Sequence, residues 1–142
     1  MTFVSITRLR VRSRRYLPMF GWYALISARQ AARADGNLTA RLLRDRRNTF
    51  WTATLWTSEA AMKKYMLAGP HKKAMIKLQF WCDEAAVVHW NQEGSELPTW
   101  AEACARLQRD GRKSKVNYPS PVHTAHKFPE PLVSPAAEVR FK

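Results

Sequence analysis

Residues 49–75 read Thr-Phe-Trp-Thr-Ala-Thr-Leu-Trp-Thr-Ser-Glu-Ala-Ala-Met-Lys-Lys-Tyr-Met-Leu-Ala-Gly-Pro-His-Lys-Lys-Ala-Met, and three signals lie within them. Thr49 to Trp56 has the threonine and aromatic content of a strand. Thr57-Ser58-Glu59 then offers a capping hydroxyl and an acidic first turn, and Met62, Tyr65 and Met66 recur at helical spacing. Gly69-Pro70 predicts a break, because glycine suits the residue just past a helix and proline suits the first turn of the next. A short helix over 70–78 follows.

Working back from this stretch, Leu38 to Arg44 predicts a strand that the polar turn Asp45-Arg46-Arg47-Asn48 joins to Thr49–Trp56 as a hairpin. Residues 3–12 alternate, with Leu9 and Val11 on one face and Arg8, Arg10 and Arg12 on the other, which is a strand period. Between them, Phe20, Ala24, Ser27, Ala28 and Ala31 recur at helical spacing until Asp35-Gly36-Asn37 ends the run. Working forward, Ala85 to Trp90 predicts a fourth strand. Thr99-x-x-Glu102 is a capping box that opens a helix with the apolar stripe Trp100, Ala103, Cys104 and Leu107, closed by Gly111.

The order is β-α-β-β-α-β followed by a helix, the ferredoxin-like arrangement of the α+β class. Residues 1–118 form one domain on this reading. Five of the eight prolines lie between Pro119 and Pro135, so 119–142 reads as an extended tail that wraps over a surface or over a partner subunit. In the third strand Phe50 and Trp56 fall opposite Trp51 and Leu55, and the fourth strand is likewise apolar on both sides. Strands apolar on both faces need both faces buried. A second sheet from an identical subunit, packed face to face around a ligand-sized cavity, would meet that need and makes a homodimer the expectation.

Composition bounds the function. A chain of 142 residues with 46% hydrophobic content has material for one core and is unlike a disordered chain. The longest apolar run, Phe20 to Ile26, is far shorter than the roughly 20 residues of a membrane span. The first residues lack the pattern of a signal peptide, so a cytoplasmic protein is expected. The formal charge of +13 steers anionic partners without naming one. Cys82 and Cys104 fit neither a C-x-x-C pair nor a disulfide framework and read as reduced core residues.

No phosphate-binding glycine loop, G-x-S-x-G elbow or H-E-x-x-H pair is present, which disfavours nucleotide binding and the hydrolase and zinc-protease readings. His123-x-x-His126 is either a metal pair or an exposed loop, and it has no nearby Cys or acid in sequence.

Trp56, Ser58, Ala61, Tyr65 and Gly69-Pro70-His71 together resemble the dimeric α/β-barrel superfamily of antibiotic-biosynthesis monooxygenases. Within it the chain is most similar to the spheroidene-monooxygenase-like proteins and an adjoining uncharacterised bacterial family. The resemblance extends over about residues 3–118 and is specific only in the window quoted. It implies a dimeric barrel and a monooxygenase activity on an apolar small molecule, with haem as a candidate cofactor. Tyr65 stands where the haem-degrading members have a Trp, and His71 is nearer to it than their proximal His, so haem degradation is not implied.

His71 is the candidate axial ligand for haem iron. At the first turn of a helix the positive dipole end disfavours imidazolium, and neutral imidazole is the metal-binding form. Trp51, Trp56, Tyr65, Met75 and His89 are the candidate pocket residues, flat or polarizable groups around an apolar ligand. Each has an ordinary alternative: His71 packing at a helix break, the aromatics and Met75 as core, His89 as a satisfied core histidine. His89 and Trp90 must face opposite sides of the fourth strand, and the sequence leaves open which faces the cavity. The arginines of the first strand, with Arg41, Arg44, Arg46 and Arg47 in the hairpin, either bind an anion such as haem propionates or form a solvated edge. Beside the oxygenase reading stand a non-catalytic ligand-binding homodimer and a basic nucleic-acid platform. The last is disfavoured because Arg47 to Ala53 lacks the glycine of the RNP1 pattern.

Overall fold

In the computed structural model the backbone of all 142 residues is described, and the side chains of all but Pro70, His71 and Pro135. The strands are β1 (Thr2–Val11), β2 (Asn37–Asp45), β3 (Thr49–Trp56), β4 (Cys82–Gln92), β5 (Arg112–Lys113) and β6 (Glu138–Arg140). The helices are α1 (Leu17–Arg33), α2 (Glu59–Met66), α3 (Gly69–Trp81), α4 (Trp100–Asp110) and α5 (Pro121–Ala125). One antiparallel sheet has the order β5-β4-β1-β3-β2-β6, and its central four strands carry the ferredoxin-like order 4-1-3-2.

The local signals act as read. Ser58 Oγ accepts from the Ala61 N–H at 3.2 Å to cap α2, and Thr99 Oγ1 accepts from the Glu102 N–H at 3.1 Å to cap α4. Gly36 turns α1 into β2 at φ 87°, where a Cβ would stand 2.6 Å from that of Ala61, so the turn admits glycine for both conformation and space. Helix α3 runs three residues past the predicted end at Leu78. Trp81 and Cys82 are buried with Val11 and Phe20, and that contact carries the helix directly into β4.

The sheet is covered on both faces by this one chain. Helices α1 and α2 pack on the face of Phe3 and Trp56, where Ala31 and Met62 complete a cluster. On the other face Val4, Ile6, Trp51, Leu55 and Val88 pack against Trp100, Ala103, Cys104 and Leu107 of α4 and against Phe128 of the tail. The argument that a second subunit's sheet must bury this face is therefore corrected: α4 and the tail bury it, a non-local packing that strand patterning does not reveal.

The tail is also more structured than its prolines suggest. It forms α5, sends buried His123 and Phe128 inward, and pairs β6 with the edge of β2. Gln108 holds it twice, donating to the His126 carbonyl and accepting from the Phe128 N–H at 2.8 Å. Trp100 Nε1 donates to Glu138 at 2.6 Å.

The arginines divide. Arg8, far from a solvated edge, is buried in an ion pair with Glu84 at 2.6 Å, its guanidinium between the rings of Trp51 and Phe128. Arg10 pairs with Asp83 at 2.6 Å. Arg12, beyond the bulge after Arg10, lies over Tyr16, Phe80 and Tyr118.

Candidate active site

A cavity of about 320 Å³ lies between the sheet and helices α1, α2 and α3, inside one chain and not between two sheets. Its floor follows from register. Ser5 sits between Thr54 and His89 across β3, β1 and β4, and Thr7 sits between Thr52 and Val87 in the next row. Arg112 of β5 extends that second row as the neighbour of Val87. The roof is made of small and flexible apolar side chains, among them Ala28 and Ala31 of α1, Met62 and Met66 of α2, and Met75 of α3.

The cavity exists because its face of the sheet carries small residues. Serine, threonine and alanine fill less space than the Trp, Leu and Ile of the opposite face, so helices resting on the bulky ends of the sheet leave its middle open. Part of the polar lining is used by the fold and part is not. Ser27, nine-tenths buried in α1, has an Oγ without a hydrogen-bond partner. Tyr65 donates its phenol to the Ser27 carbonyl at 3.1 Å, and burial pushes its pKa up, so it remains a neutral donor.

His89 stands on the cavity side, with Phe3 5.4 Å from its ring, while Trp90 faces α4. Burial first, then the positive charge of Arg112, holds its pKa below the ordinary histidine value. The ring is therefore neutral at neutral pH and able to accept a proton.

Of the candidate pocket residues, Tyr65, Met75 and His89 line the cavity. Trp56 lies behind it, its ring 5.2 Å from that of Tyr65 and its Nε1 donating to Thr54 Oγ1 at 2.8 Å. Trp51 does not belong to it: the odd residues of β3 face α4, and its Nε1 points to Asp45 at 3.4 Å. His71 falls in the first turn of α3, and its side chain is outside the described residues. Ser5, Thr7, Ser27, Thr52 and Arg112 were not singled out in the sequence. The alternation of Thr52 and Thr54 with Trp51 and Leu55 is the signal that marks the hydroxyl face.

The described walls do not match haem. The volume lies at the lower end of the roughly 300–1,000 Å³ of organic-ligand pockets, and a pleated floor of alternate side chains is not a flat slot. Among the described residues no group of three or more His, Cys, Asp or Glu could hold a metal ion. His123 and His126 do not form a metal pair either, since His123 Nδ1 accepts from the Ala85 N–H at 3.2 Å. No helix among the described residues is long and apolar enough to cross a membrane.

The sheet order is that of a small α+β protein of the antibiotic-biosynthesis-monooxygenase fold, and comparison with solved structures agrees. A candidate antibiotic biosynthesis monooxygenase from Nitrosomonas europaea superposes with a TM-score of 0.57 at 14% identity, over 64% of this chain and 89% of its own. SnoaB, a cofactor-independent oxygenase from Streptomyces nogalater, gives 0.55 at 17% over 66% and 94%. Rv0793 from Mycobacterium tuberculosis gives 0.59 at 10% over 66% and 97%. At these identities the likeness is one of fold. Residues 26–129 match the family profile described as Domain of unknown function (DUF3291), and the chain belongs to that family. None of the curated proteins compared with the chain matches it.

Proposed function

We propose that the protein binds an apolar, aromatic-sized small molecule between its sheet and α1–α3 and oxygenates it without a resident cofactor. The observation that carries this reading is the juxtaposition, in one cavity, of a neutral imidazole, the unpartnered Ser27 hydroxyl and an apolar roof. SnoaB, cofactor-independent by its description, has the same fold, which supports the choice of chemistry.

In the proposed reaction His89 takes a proton from an activated C–H of a phenolic ketone substrate, and the resulting carbanion supplies the electrons that reduce O₂. A CH₂ group and O₂ become C=O and H₂O, so no external reductant enters. Arg112 beside His89 stabilises the substrate anion, and the hydroxyls of Ser5, Thr7 and Thr52 orient the ring oxygens. The homodimer implied by the resemblance belongs to this proposal, with its contact elsewhere than the α4-covered face, and light scattering tests it. His71 is kept as a ligand only through the spectrum: a saturable Soret band on adding haemin, lost in His71→Ala, would replace the cofactor-free reading.

Oxygen uptake with 1,8-dihydroxyanthrone as probe tests the chemistry. Saturable uptake above the spontaneous rate is expected, falling about 10²-fold in His89→Ala. No saturable rate, or an unchanged rate in His89→Ala, would overturn it.

A further inference from the structure

We propose that the ligand of this cavity is an amphipathic anion: an apolar aromatic body with an acid group held at the β4 edge by Arg112, with Lys115 beside it. The inference rests on the cavity being a ligand site and adds the charge class of what enters.

Three observations converge on it. First, the lining includes Arg41, Arg112 and Lys115 and no Asp or Glu. An apolar wall beside unopposed cations focuses a positive potential into the cavity, favouring anions and repelling cations. Second, Arg112 and Lys115 are exposed cations that the fold, among the described residues, does not use in an ion pair. Arg8, Arg10, Lys63, Arg106 and Arg109 all have carboxylate partners, whereas Arg112 and Lys115 form no ion pair among the described residues. Third, Arg112 and Lys115 lie together on the β5 side of the cavity, with Arg41 across the sheet on β2. Arg112 is the β5 neighbour of Val87, and the row from Val87 runs across the sheet through Thr7 and Thr52 to Leu42. The unpartnered, nine-tenths buried Ser27 hydroxyl lies in the roof as a donor for an oxygen on the ligand's body. An acid at the β5 edge and an apolar body with one acceptor over the floor would use Arg112, Lys115 and the Ser27 hydroxyl.

The test is fluorescence titration with two probes of the same skeleton, 1-anilinonaphthalene-8-sulfonate and its neutral parent N-phenyl-1-naphthylamine. The sulfonate should bind about tenfold more tightly, and Arg112→Gln with Lys115→Gln should abolish that preference while leaving the neutral probe's Kd unchanged. The charge-matched control Arg47→Gln with Lys127→Gln, both exposed and remote from the lining, should keep it. Ala28→Leu, which fills the roof, should weaken both probes. Equal affinity of the two probes overturns the anion inference and leaves the cavity reading standing. So does a preference lost as much in the control, or sulfonate binding that persists in Ala28→Leu. Binding of neither probe overturns the cavity reading and this inference with it.

Discussion

Removing the charge of Glu84 should be more damaging than removing that of Arg8, because the two partners have unequal substitutes. Both side chains are 4% exposed and meet at 2.6 Å. Among the described residues Arg8 forms no ion pair with a second carboxylate, and its Nε is already without a partner. Glu84→Gln, which keeps an acceptor oxygen, leaves a buried guanidinium without a counter-charge, at about 3–4 kcal/mol. Glu84 by contrast retains two neighbours when Arg8 is lost: Arg10 approaches its second oxygen at 3.7 Å, and Ser120 Oγ donates to it at 2.8 Å. Arg8→Met should therefore cost about 2 kcal/mol. Arg8→Met with Glu84→Leu removes both charges and should return to within about 1 kcal/mol of the parent, a coupling of several kcal/mol. Urea unfolding followed by tryptophan fluorescence measures all four. Equal or reversed costs for the two single variants, or a double variant as unstable as their sum, would refute the reasoning.

Three further outcomes follow from the same packing. Phe128→Ala should cost about 3 kcal/mol and expose the tail to limited proteolysis, since that ring is 6% exposed against the sheet and stacks 5.0 Å from the Arg8 guanidinium. Neither cysteine should react with a thiol reagent in the native state: both are buried, burial and the neighbouring Asp83 carboxylate push the Cys82 thiol up to about 12, and burial raises that of Cys104. Stability should fall as pH drops below the ordinary histidine value of 6.5, because the folded state holds His89 and His123 neutral and the unfolded chain binds the protons they refuse. For His123 the causes are burial and then Lys113, opposed by Glu84. His123→Asn, which can still accept from the Ala85 N–H, should flatten part of that dependence in melts between pH 5 and 8.

What the sequence disclosed was local. The caps at Ser58 and Thr99, the Gly69-Pro70 break and the β2–β3 turn each depend on a few adjacent residues, and each appears where the pattern placed it. The sheet order followed because connections this short permit few alternatives. The site was legible only in part. His89 has its side of the sheet fixed by its pairing with Ser5, a contact 84 positions away in the chain, so alternation alone could not orient it. Trp51 drew attention as an aromatic, yet size argued for the packed face, and the small hydroxyl residues beside it were the better marker of a void. Phe128 over Arg8, and β6 beside β2, join segments about a hundred residues apart, and no local period encodes such pairings.

The two faces of the sheet have been put to different uses, and this division links the fold to the proposed chemistry. Large apolar side chains from alternate positions of β1, β3 and β4 fill the face under α4, where close packing contributes most of the cohesion. Between them, in the middle of the other face, Ser5, Thr7, Thr52, Thr54 and Ala85 are small and leave space under α1–α3 beside Val87 and His89. A chain relying on the cavity face for stability would have to fill it. Covering the other face with its own helix and tail lets this protein fill one side of its sheet and leave a space on the second, between the clusters at Phe3 and Trp56 and at Val11 and Phe20. The charges divide in the same way: Arg8 and Arg10 on the packed face are matched by Glu84 and Asp83, while Arg112 on the cavity side forms no ion pair among the described residues.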